Sequence, residues 1–394
     1  MNNVSQIGRE KCVGCGACKS ACAFSCISWE ESDDLFRYPR VDRAVCRNCG
    51  KCLGVCPVYH DIALNTPQDG YAAYLKNNGA YRNSTSGGAF TGLAEYVVEQ
   101  MGGYVCGAVM EPDLTLHHVL TDNLGDIARM QGSKYVQSNL EDCFEKIREL
   151  VKKERSVLFC GTGCQTAALK CYCGDSEFLF TLDLICHGVP SASAFKQYIN
   201  RFYTGNPVDG VTFREKNRYE STTYALSIQD SAGKKMWAHC SQDPFYSAFL
   251  SGASYRESCY GCRFARKERC GDITIGDCAN SAEYASALDG KVLSTVFINT
   301  AQGQKLWNKA KHKFKYIRAD IDSEVRLNRQ LHEPMQRPAQ RDLFYRDITL
   351  LDKRLLVQKY CPKEKIKVRI RKFLIFLIPA DTRTNIKKLL RRNR

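Results

Sequence analysis

Cysteines near the amino end of the chain are spaced for metal binding. The pattern C-x2-C-x2-C-x3-C occurs twice, first as Cys12, Cys15, Cys18 and Cys22, and again as Cys46, Cys49, Cys52 and Cys56. Three thiolates within seven residues can hold three corners of a cubane iron–sulfur cluster, and the fourth cysteine, which points away, serves the other cluster. The spacing therefore predicts two [4Fe–4S] clusters. We assign one to Cys12, Cys15, Cys18 and Cys56, and the other to Cys46, Cys49, Cys52 and Cys22.

Zinc is the main alternative for these cysteines. Structural zinc ions are usually bound by widely separated C-x2-C pairs, and a third cysteine two residues later exceeds what one tetrahedral ion needs. Ala23 stands where proline usually follows the first run, which changes a turn and leaves the ligands in place. Cys26 lies outside both runs, and we interpret it as a small buried residue. We therefore favour iron–sulfur clusters over zinc.

Two other motifs have more than one interpretation. Gly161-Thr162-Gly163 follows a predicted strand and precedes a predicted helix, where backbone N–H groups can hold an anion. A plain tight turn fits equally well, because Thr166 stands where a dinucleotide fingerprint would need glycine. The pair Cys259-x2-Cys262 is a redox pair, half of a metal site, or a chance occurrence in a chain with 22 cysteines.

The composition indicates a globular protein of two or three domains. The chain has 394 residues, of which 44% are hydrophobic, and a net charge of +15. Residues 351–394 hold 15 Lys and Arg against 3 Asp and Glu, so this segment carries +12 and the rest of the chain +3. The first residues contain no apolar signal-peptide region, and so many thiols suit a reducing compartment. We therefore expect a cytoplasmic protein.

Helical and strand patterns alternate after residue 84. A helix is predicted that opens at Gly87-Gly88, with Ser86 as N-cap, and stops at Gly102-Gly103, and strands are predicted at 104–110, 156–160 and 178–186. This alternation predicts an α/β fold, α+β overall, whose mixed or parallel sheet is covered by helices. We divide the chain into a bacterial ferredoxin-type domain (1–65), a mixed-sheet domain (66–345) and a basic amphipathic helical tail (346–394).

The basic tail has three interpretations. Residues 363–378 combine cationic and apolar side chains, and a second basic segment spans residues 382–394. This composition suits a helix at an anionic membrane surface, or a terminal helix packed on the body with its basic face in water. Nucleic-acid binding is less favoured, because Phe373 and Phe376 are almost the only aromatic residues available for stacking. We expect no nucleic-acid partner and leave peripheral contact with the inner face of the membrane open.

Several segments match a known family in the same order. They are STSGGAF at 84–90, GSKYVQ at 132–137, VLFCGTGCQ at 157–165, DLICHGVP at 183–190, and SCYGC at 258–262 followed by GDITIGD at 271–277. On these residues the chain resembles the beta-subunit family of coenzyme F420-reducing hydrogenases and dehydrogenases, with a ferredoxin module fused in front. Gly163 replaces a proline of the family pattern. Cys278-Ala279-Asn280 replaces an aromatic pair, which bears on the substrate pocket.

The resemblance implies a flavoprotein that binds FAD and one further [4Fe–4S] cluster. Backbone N–H groups at the glycine-rich helix start can receive a pyrophosphate, and Lys134 can offset negative charge, although without the resemblance it would be interpreted as a solvated surface lysine. The predicted FAD-binding residues are Ser84, Ser86, Gly87, Gly88, Lys134, Tyr135 and Thr162. The predicted ligands of the third cluster are Cys164, Cys186, Cys259 and Cys262, with Cys160 and Cys270 in reserve. Cys164 and Cys186 follow strands, where parallel-sheet proteins build sites.

Two functional classes follow from this resemblance. In the first, the chain is an iron–sulfur flavoprotein oxidoreductase that passes electrons between its clusters and an unknown small-molecule or glycan-related substrate through FAD. In the second, it is an electron-transfer subunit without a substrate site, serving a partner enzyme, for which polysaccharide biosynthesis is one setting. Both classes need an external electron donor or acceptor protein, and no catalytic residue is assigned. A zinc-structured protein that binds nucleic acid is a third, weaker hypothesis.

Overall fold

The computed structural model of the protein describes residues 2–203, 205–216 and 222–362. The predicted tail helix beyond residue 362 therefore lies outside the described residues. Within them, no helix is both long enough and apolar enough to cross a membrane.

The described residues form three sheets and a set of helices. The strands are β1 (Ile27–Glu31), β2 (Arg37–Val41), β3 (Asp69–Leu75), β4 (Tyr104–Met110), β5 (Leu116–Thr121), β6 (Val157–Thr162), β7 (Leu179–Leu184), β8 (Val208–Lys216), β9 (Thr222–Asp230), β10 (Lys235–His239), β11 (Ile273–Asp277), β12 (Ser294–Ile298) and β13 (Phe314–Arg318). The α-helices are α1 (Ala17–Ser20), α2 (Lys51–Gly54), α3 (Asn78–Asn83), α4 (Ala89–Met101), α5 (Leu124–Met130), α6 (Glu141–Lys152), α7 (Gly163–Cys173), α8 (Ala192–Phe202), α9 (Pro244–Ser251), α10 (Ser281–Tyr284), α11 (Ala301–Ala310), α12 (Ile321–Leu327), α13 (Arg341–Leu350) and α14 (Lys353–Tyr360).

The largest sheet has eight strands in the order β13-β3-β12-β11-β7-β6-β4-β5. Its middle strands β11, β7, β6 and β4 run parallel, and antiparallel strands flank them on both sides. Helices α4 and α11 pack against one face, and α6 and α7 pack against the other. A strand covered on both faces must be apolar along its whole length, and β6 is buried from Val157 to Gly161. The predicted α/β fold class with a mixed sheet is confirmed.

The start of α4 differs from the sequence prediction. The helix begins at Ala89, and its N-cap is Gly88, which adopts the left-handed conformation at φ +85°. A residue with a β-carbon is strained in that conformation, so glycine is favoured there. The hydroxyl of Ser86, which the sequence suggested as the N-cap, instead shares a hydrogen bond of 2.8 Å with the Ser294 hydroxyl.

The doubled cysteine pattern produces a doubled local structure. In each run a glycine in the left-handed conformation, Gly16 (φ +88°) or Gly50 (φ +77°), precedes a helix of one turn, α1 or α2. The hairpin of β1 and β2 lies between the two runs. The core beneath is small and contains Val4 and Ile27 together with cysteines. A core of this size is normally supported by something other than apolar burial.

The small cysteine-rich part packs closely on the rest of the chain. Ala17 of α1 is fully buried in the core formed by α6 and α7, and the Tyr172 hydroxyl donates to the carbonyl of Ser20 at 3.3 Å. On the other side, Phe36 and Tyr38 enter an aromatic core that also contains residues of β8, β9, α8, α9, α13 and α14. The cysteine-rich part is thus held from two directions.

Candidate functional site

The first predicted cysteine set faces the large sheet domain. Cys15 packs against the core of α6 and α7. Burial raises the pKa of the Cys15 thiol, and charge on Cys18, Cys56 and Cys12 raises it further. At Cys18 burial again raises the pKa most, followed by charge on Cys12 and Cys56. Charge on Cys52 of the second set also raises the pKa of Cys18, so these neighbours include a member of the other set and the division into two ligand sets stays a prediction.

The second set contains one exposed member, Cys49, one buried member, Cys52, and two of intermediate exposure, Cys22 and Cys46. Burial raises the pKa of Cys52, and charge on Cys22 raises it further. The Val4 backbone N–H donates to Cys52 Sγ at 3.3 Å, and Asn3 Nδ2 donates to Cys46 Sγ at 3.7 Å. Such hydrogen bonds to sulfur stabilise thiolates and tune iron–sulfur clusters.

Cys26 lies closer to the predicted ligands than its position outside both cysteine runs suggested. It is buried in the small core with Cys18 and Cys52, which fits the interpretation of a small buried residue. Its sulfur also lies 3.3 Å from Cys22 Sγ. It therefore borders directly on a predicted ligand.

The third predicted set gathers at the carboxyl edge of the large sheet. Cys164 follows β6 and Cys186 follows β7, two strands that are parallel neighbours. Burial raises the pKa of Cys186 to about 12, with further contributions from charge on Cys164 and Cys262. Burial also raises the pKa of Cys259, as does charge on Cys186, Cys262 and Cys164. The structure brings the four predicted ligands together from three separate segments.

The chemistry of these cysteine sets fits an iron–sulfur cluster. Buried thiols whose pKa is raised stay protonated at neutral pH unless a cation stabilises their thiolates. Iron supplies that positive charge when the cluster is bound. Among the described residues, no group of three or more His, Cys, Asp or Glu side chains is placed to hold a metal ion.

A cavity of about 280 Å³ opens at the same sheet edge. It is lined by the loop before α4, the segment before α6, the ends of β6, β7 and β11, and residues of β4, β5 and β8. Of the predicted FAD-binding residues, the lining includes Ser84, Ser86, Gly88, Lys134, Tyr135 and Thr162. Cys186 also lines the cavity, which places one predicted cluster ligand at its wall.

Gly87 occupies a different environment from its neighbours. A β-carbon at this position would lie 2.1 Å from the carbonyl oxygen of Ala73 on β3 and 2.5 Å from the backbone nitrogen of Ser294 on β12. The close approach that glycine permits here is therefore to the sheet. Gly87 is not among the residues that line the cavity.

Lys134 lines the cavity and also binds backbone carbonyls at the end of a helix. Its ammonium donates to the carbonyls of Met130 and Gln131, each at 2.9 Å, at the carboxyl end of α5. A cation is favourable at that end of a helix. Burial nevertheless lowers the pKa of Lys134 to about 7, so its charge changes near neutral pH.

Comparison with known proteins identifies two parts of the chain. Residues 154–324 match the family model for the C terminus of the coenzyme F420 hydrogenase/dehydrogenase beta subunit. Residues 11–59 match the model of a 4Fe-4S dicluster domain. The chain thus contains, in this order, a segment that matches a 4Fe–4S dicluster domain and a segment that matches the C terminus of the F420 hydrogenase/dehydrogenase beta subunit. The resemblance seen in the sequence is confirmed, and so are the dicluster domain and the iron–sulfur nature of the protein.

Two individual proteins show more limited similarity. An uncharacterized ferredoxin of Methanocaldococcus jannaschii is 39% identical over 51 residues, which are 13% of this chain and 65% of the ferredoxin. The chain therefore spans about two thirds of the length of that curated relative. A chain of the F420-reducing [NiFe] hydrogenase complex of Methanosarcina barkeri is 17% identical with a TM-score of 0.45, covering 75% of this chain and 91% of that one.

The cavity wall contains polar residues that the sequence pattern did not single out. Arg214 on β8 is buried and donates to Asp277 at 2.5 Å and to the Tyr135 hydroxyl at 3.3 Å, while its Nε has no partner among the described residues. His118 on β5 is also buried, and its Nδ1 likewise lacks a described partner. Both side chains line the cavity. Asp277 ended a recognised segment, but nothing in the sequence singled out Arg214 or His118.

Gln137 and Arg256 connect the dicluster domain to the third cysteine set. Gln137 Nε2 donates to the Val13 carbonyl at 3.0 Å, and its amide oxygen accepts from Arg256 Nη1 at 3.1 Å. Arg256 is 1% exposed and its guanidinium lies 4.3 Å from the centre of the Tyr38 ring. Since Arg256 precedes Cys259 by three residues, the first and third cysteine sets flank one hydrogen-bonded contact.

Proposed function

We propose that this chain is an iron–sulfur flavoprotein oxidoreductase that passes electrons between its dicluster domain and an organic acceptor or donor. In this proposal Cys164, Cys186, Cys259 and Cys262 hold a third [4Fe–4S] cluster. FAD occupies the cavity lined by Ser84, Lys134 and Tyr135.

The observation that carries the proposal is the position of Cys186. It lies near Cys164 and Cys262, its charge acts on Cys259, and it also lines the cavity. A cluster held by this set would therefore border on whatever the cavity binds. On the opposite side, the contact through Gln137 and Arg256 connects the set to the loop that contains the first predicted cluster ligands. The first predicted cluster set, the third predicted cluster set and the cavity therefore adjoin in that order, with no other domain between them.

The cavity has the polar groups that an anionic, hydrogen-bonding ring system needs. A buried polar atom without a partner is costly, so Arg214 Nε and His118 Nδ1 point to a ligand that completes their hydrogen bonds. A volume of about 280 Å³ is near the lower end of the range for small-molecule pockets, and we assign it to the ring end of the flavin. When bound, a flavin exchanges two electrons with an organic compound and single electrons with clusters.

The test is anaerobic purification followed by analysis of iron, sulfide and flavin. The proposal requires close to one FAD per chain and iron for three clusters. Arg214→Met should lose flavin, whereas Arg129→Met should retain it, because Arg129 pairs with Glu111 and Asp126 outside the cavity. Protein prepared under these conditions with no flavin, or equal flavin content in both variants, would contradict the assigned site.

A further inference from the structure

The two predicted clusters of the dicluster domain differ in their access to other molecules. The first set is covered by α6 and α7, which pack on α1, and by the Gln137–Arg256 contact. Two members of the second set, Cys46 and Cys49, lie in the loop of residues 42–51, in which Cys46 N–H donates to the Asp42 carbonyl at 2.9 Å and closes a turn. Cys49 is exposed on this loop. A large molecule therefore meets the second set first.

The surface of this loop is basic. Arg43, Arg47 and Lys51 are exposed, and Asp42 is the only acidic residue between positions 42 and 51. None of the three cations forms an ion pair with another described residue. Val45, between the two arginines, leaves 42% of its surface exposed. The loop thus combines three available positive charges with one apolar contact point around an exposed cysteine.

We propose that the loop of residues 42–51 is the docking surface for an acidic electron-carrier protein, such as a ferredoxin with an acidic face. Complementary charge accelerates encounter and fixes orientation more than it adds affinity, and weak redox complexes use small interfaces. Each exchange transfers one electron. The carrier loses this electron and is oxidised, and the group held by Cys46, Cys49 and Cys52 gains it and is reduced. No bond forms or breaks. The reverse transfer uses the same surface.

This inference rests on the proposed function, since a carrier is needed only if electrons enter or leave the chain. The inference adds where electrons enter or leave the chain and which charge the partner protein carries. Binding of the carrier can be measured without turnover, so it can be tested separately from the flavin site.

The experiment measures binding of an oxidised acidic [4Fe–4S] ferredoxin to the full-length, cluster-loaded protein by titration calorimetry at low and high NaCl. The loop variant Arg43→Glu/Arg47→Glu/Lys51→Glu is compared with the matched variant Lys152→Glu/Lys305→Glu/Lys309→Glu. The matched variant changes three exposed lysines on α6 and α11 and has the same net charge. Iron, sulfide and flavin content are measured for each protein.

The expected result is that the loop variant binds at least tenfold more weakly at low salt, while the matched variant stays within twofold of the wild type. The wild-type affinity should fall as salt rises, because exposed charges are screened. Equal weakening in both variants would show a general charge effect and overturn the proposal. An unchanged loop variant would place binding elsewhere, for example on the basic residues after 362, and would also overturn it. If flavin is absent while the loop still binds the carrier, the flavin proposal fails and the docking surface stands.

Discussion

The Nε of Arg256 donates to the carbonyl oxygen of Cys12 at 2.7 Å. Cys12 opens the first cysteine run, and Arg256 belongs to the segment that carries the third predicted set. The same guanidinium also donates to the Arg37 carbonyl at 2.8 Å. A charge buried to this extent is stable only when it is hydrogen-bonded, so Arg256 is one of the contacts that join the dicluster domain to the segment of the third predicted set.

Replacing Arg256 with methionine should loosen the contact between the domains. The change leaves the carbonyls of Cys12 and Arg37 without their donors, and removing such a buried, charged partner costs about 2–4 kcal/mol. The free energy of unfolding of the anaerobic protein in guanidinium chloride measures this. Arg266→Met is the control, because the Arg266 side chain is 51% exposed and pairs with Glu268 two residues away, so it should cost below about 1 kcal/mol. Equal losses would argue against a special role for Arg256.

Removing one ligand from each run should remove one cluster at a time. We expect Cys15→Ala and Cys49→Ala each to lower iron and sulfide by about four per chain. Cys15→Ala should also destabilise the protein more, because Cys15 packs in the core of α6 and α7 whereas Cys49 is exposed. Cys173→Ala, in neither run, is the control. Full iron content in both ligand variants would refute the assignment.

The proposed ligands of the third set can be distinguished from Cys270, a reserve ligand beside them. Cys270 is 1% exposed, and its thiol donates to the Gly163 carbonyl at 3.2 Å beside the set. If the ligands are those proposed, Cys186→Ala and Cys259→Ala should each lose about four irons, while Cys270→Ala retains them. Electron paramagnetic resonance of the reduced protein measures which cluster signal disappears. If Cys270→Ala loses iron while Cys186→Ala keeps its full iron content, Cys270 replaces Cys186 as the proposed ligand.

Local patterns made much of this structure predictable. Cysteine spacing identified the dicluster domain, because three ligands to one cluster come from seven consecutive residues. Apolar runs gave the strands of the large sheet, since these are buried on both faces; the strand predicted at 104–110 has those bounds in β4. The carboxyl edges of β6 and β7 brought Cys164 and Cys186 together as parallel-sheet geometry implies.

Features that depend on distant segments were not predictable. Arg214 and His118 meet in the cavity from β8 and β5, which belong to different sheets, so no spacing connects them. Gly87 was expected to allow close approach of a phosphate, but the contact that excludes a β-carbon there is with Ala73, 14 positions earlier. The helix start at Ala89 depends on the positive φ of Gly88, which a search for a serine cap does not detect.

The affinity for FAD should depend on pH through Lys134. Burial lowers the pKa of its ammonium to about 7, and an anionic ligand favours the charged form, so binding raises that pKa. Below about pH 7 the lysine is already charged and affinity is constant. Above it, binding must take up a proton, and the dissociation constant should rise by up to about tenfold per pH unit.

The other titratable groups of the cavity do not account for such a change. The pKa of His118 is lowered to about 4 and that of Cys160 is raised to about 12, both by burial, and burial also lowers the pKa of His187 below its usual value. Fluorescence titration of flavin-free protein with FAD between pH 6 and 9 measures the effect. Lys134→Arg keeps its charge, so this variant should bind FAD tightly and independently of pH. Lys134→Met has no charge at this position, so it should bind FAD weakly, and its affinity should also be independent of pH. A rise in the dissociation constant that persists unchanged in both variants would assign the pH dependence to another group.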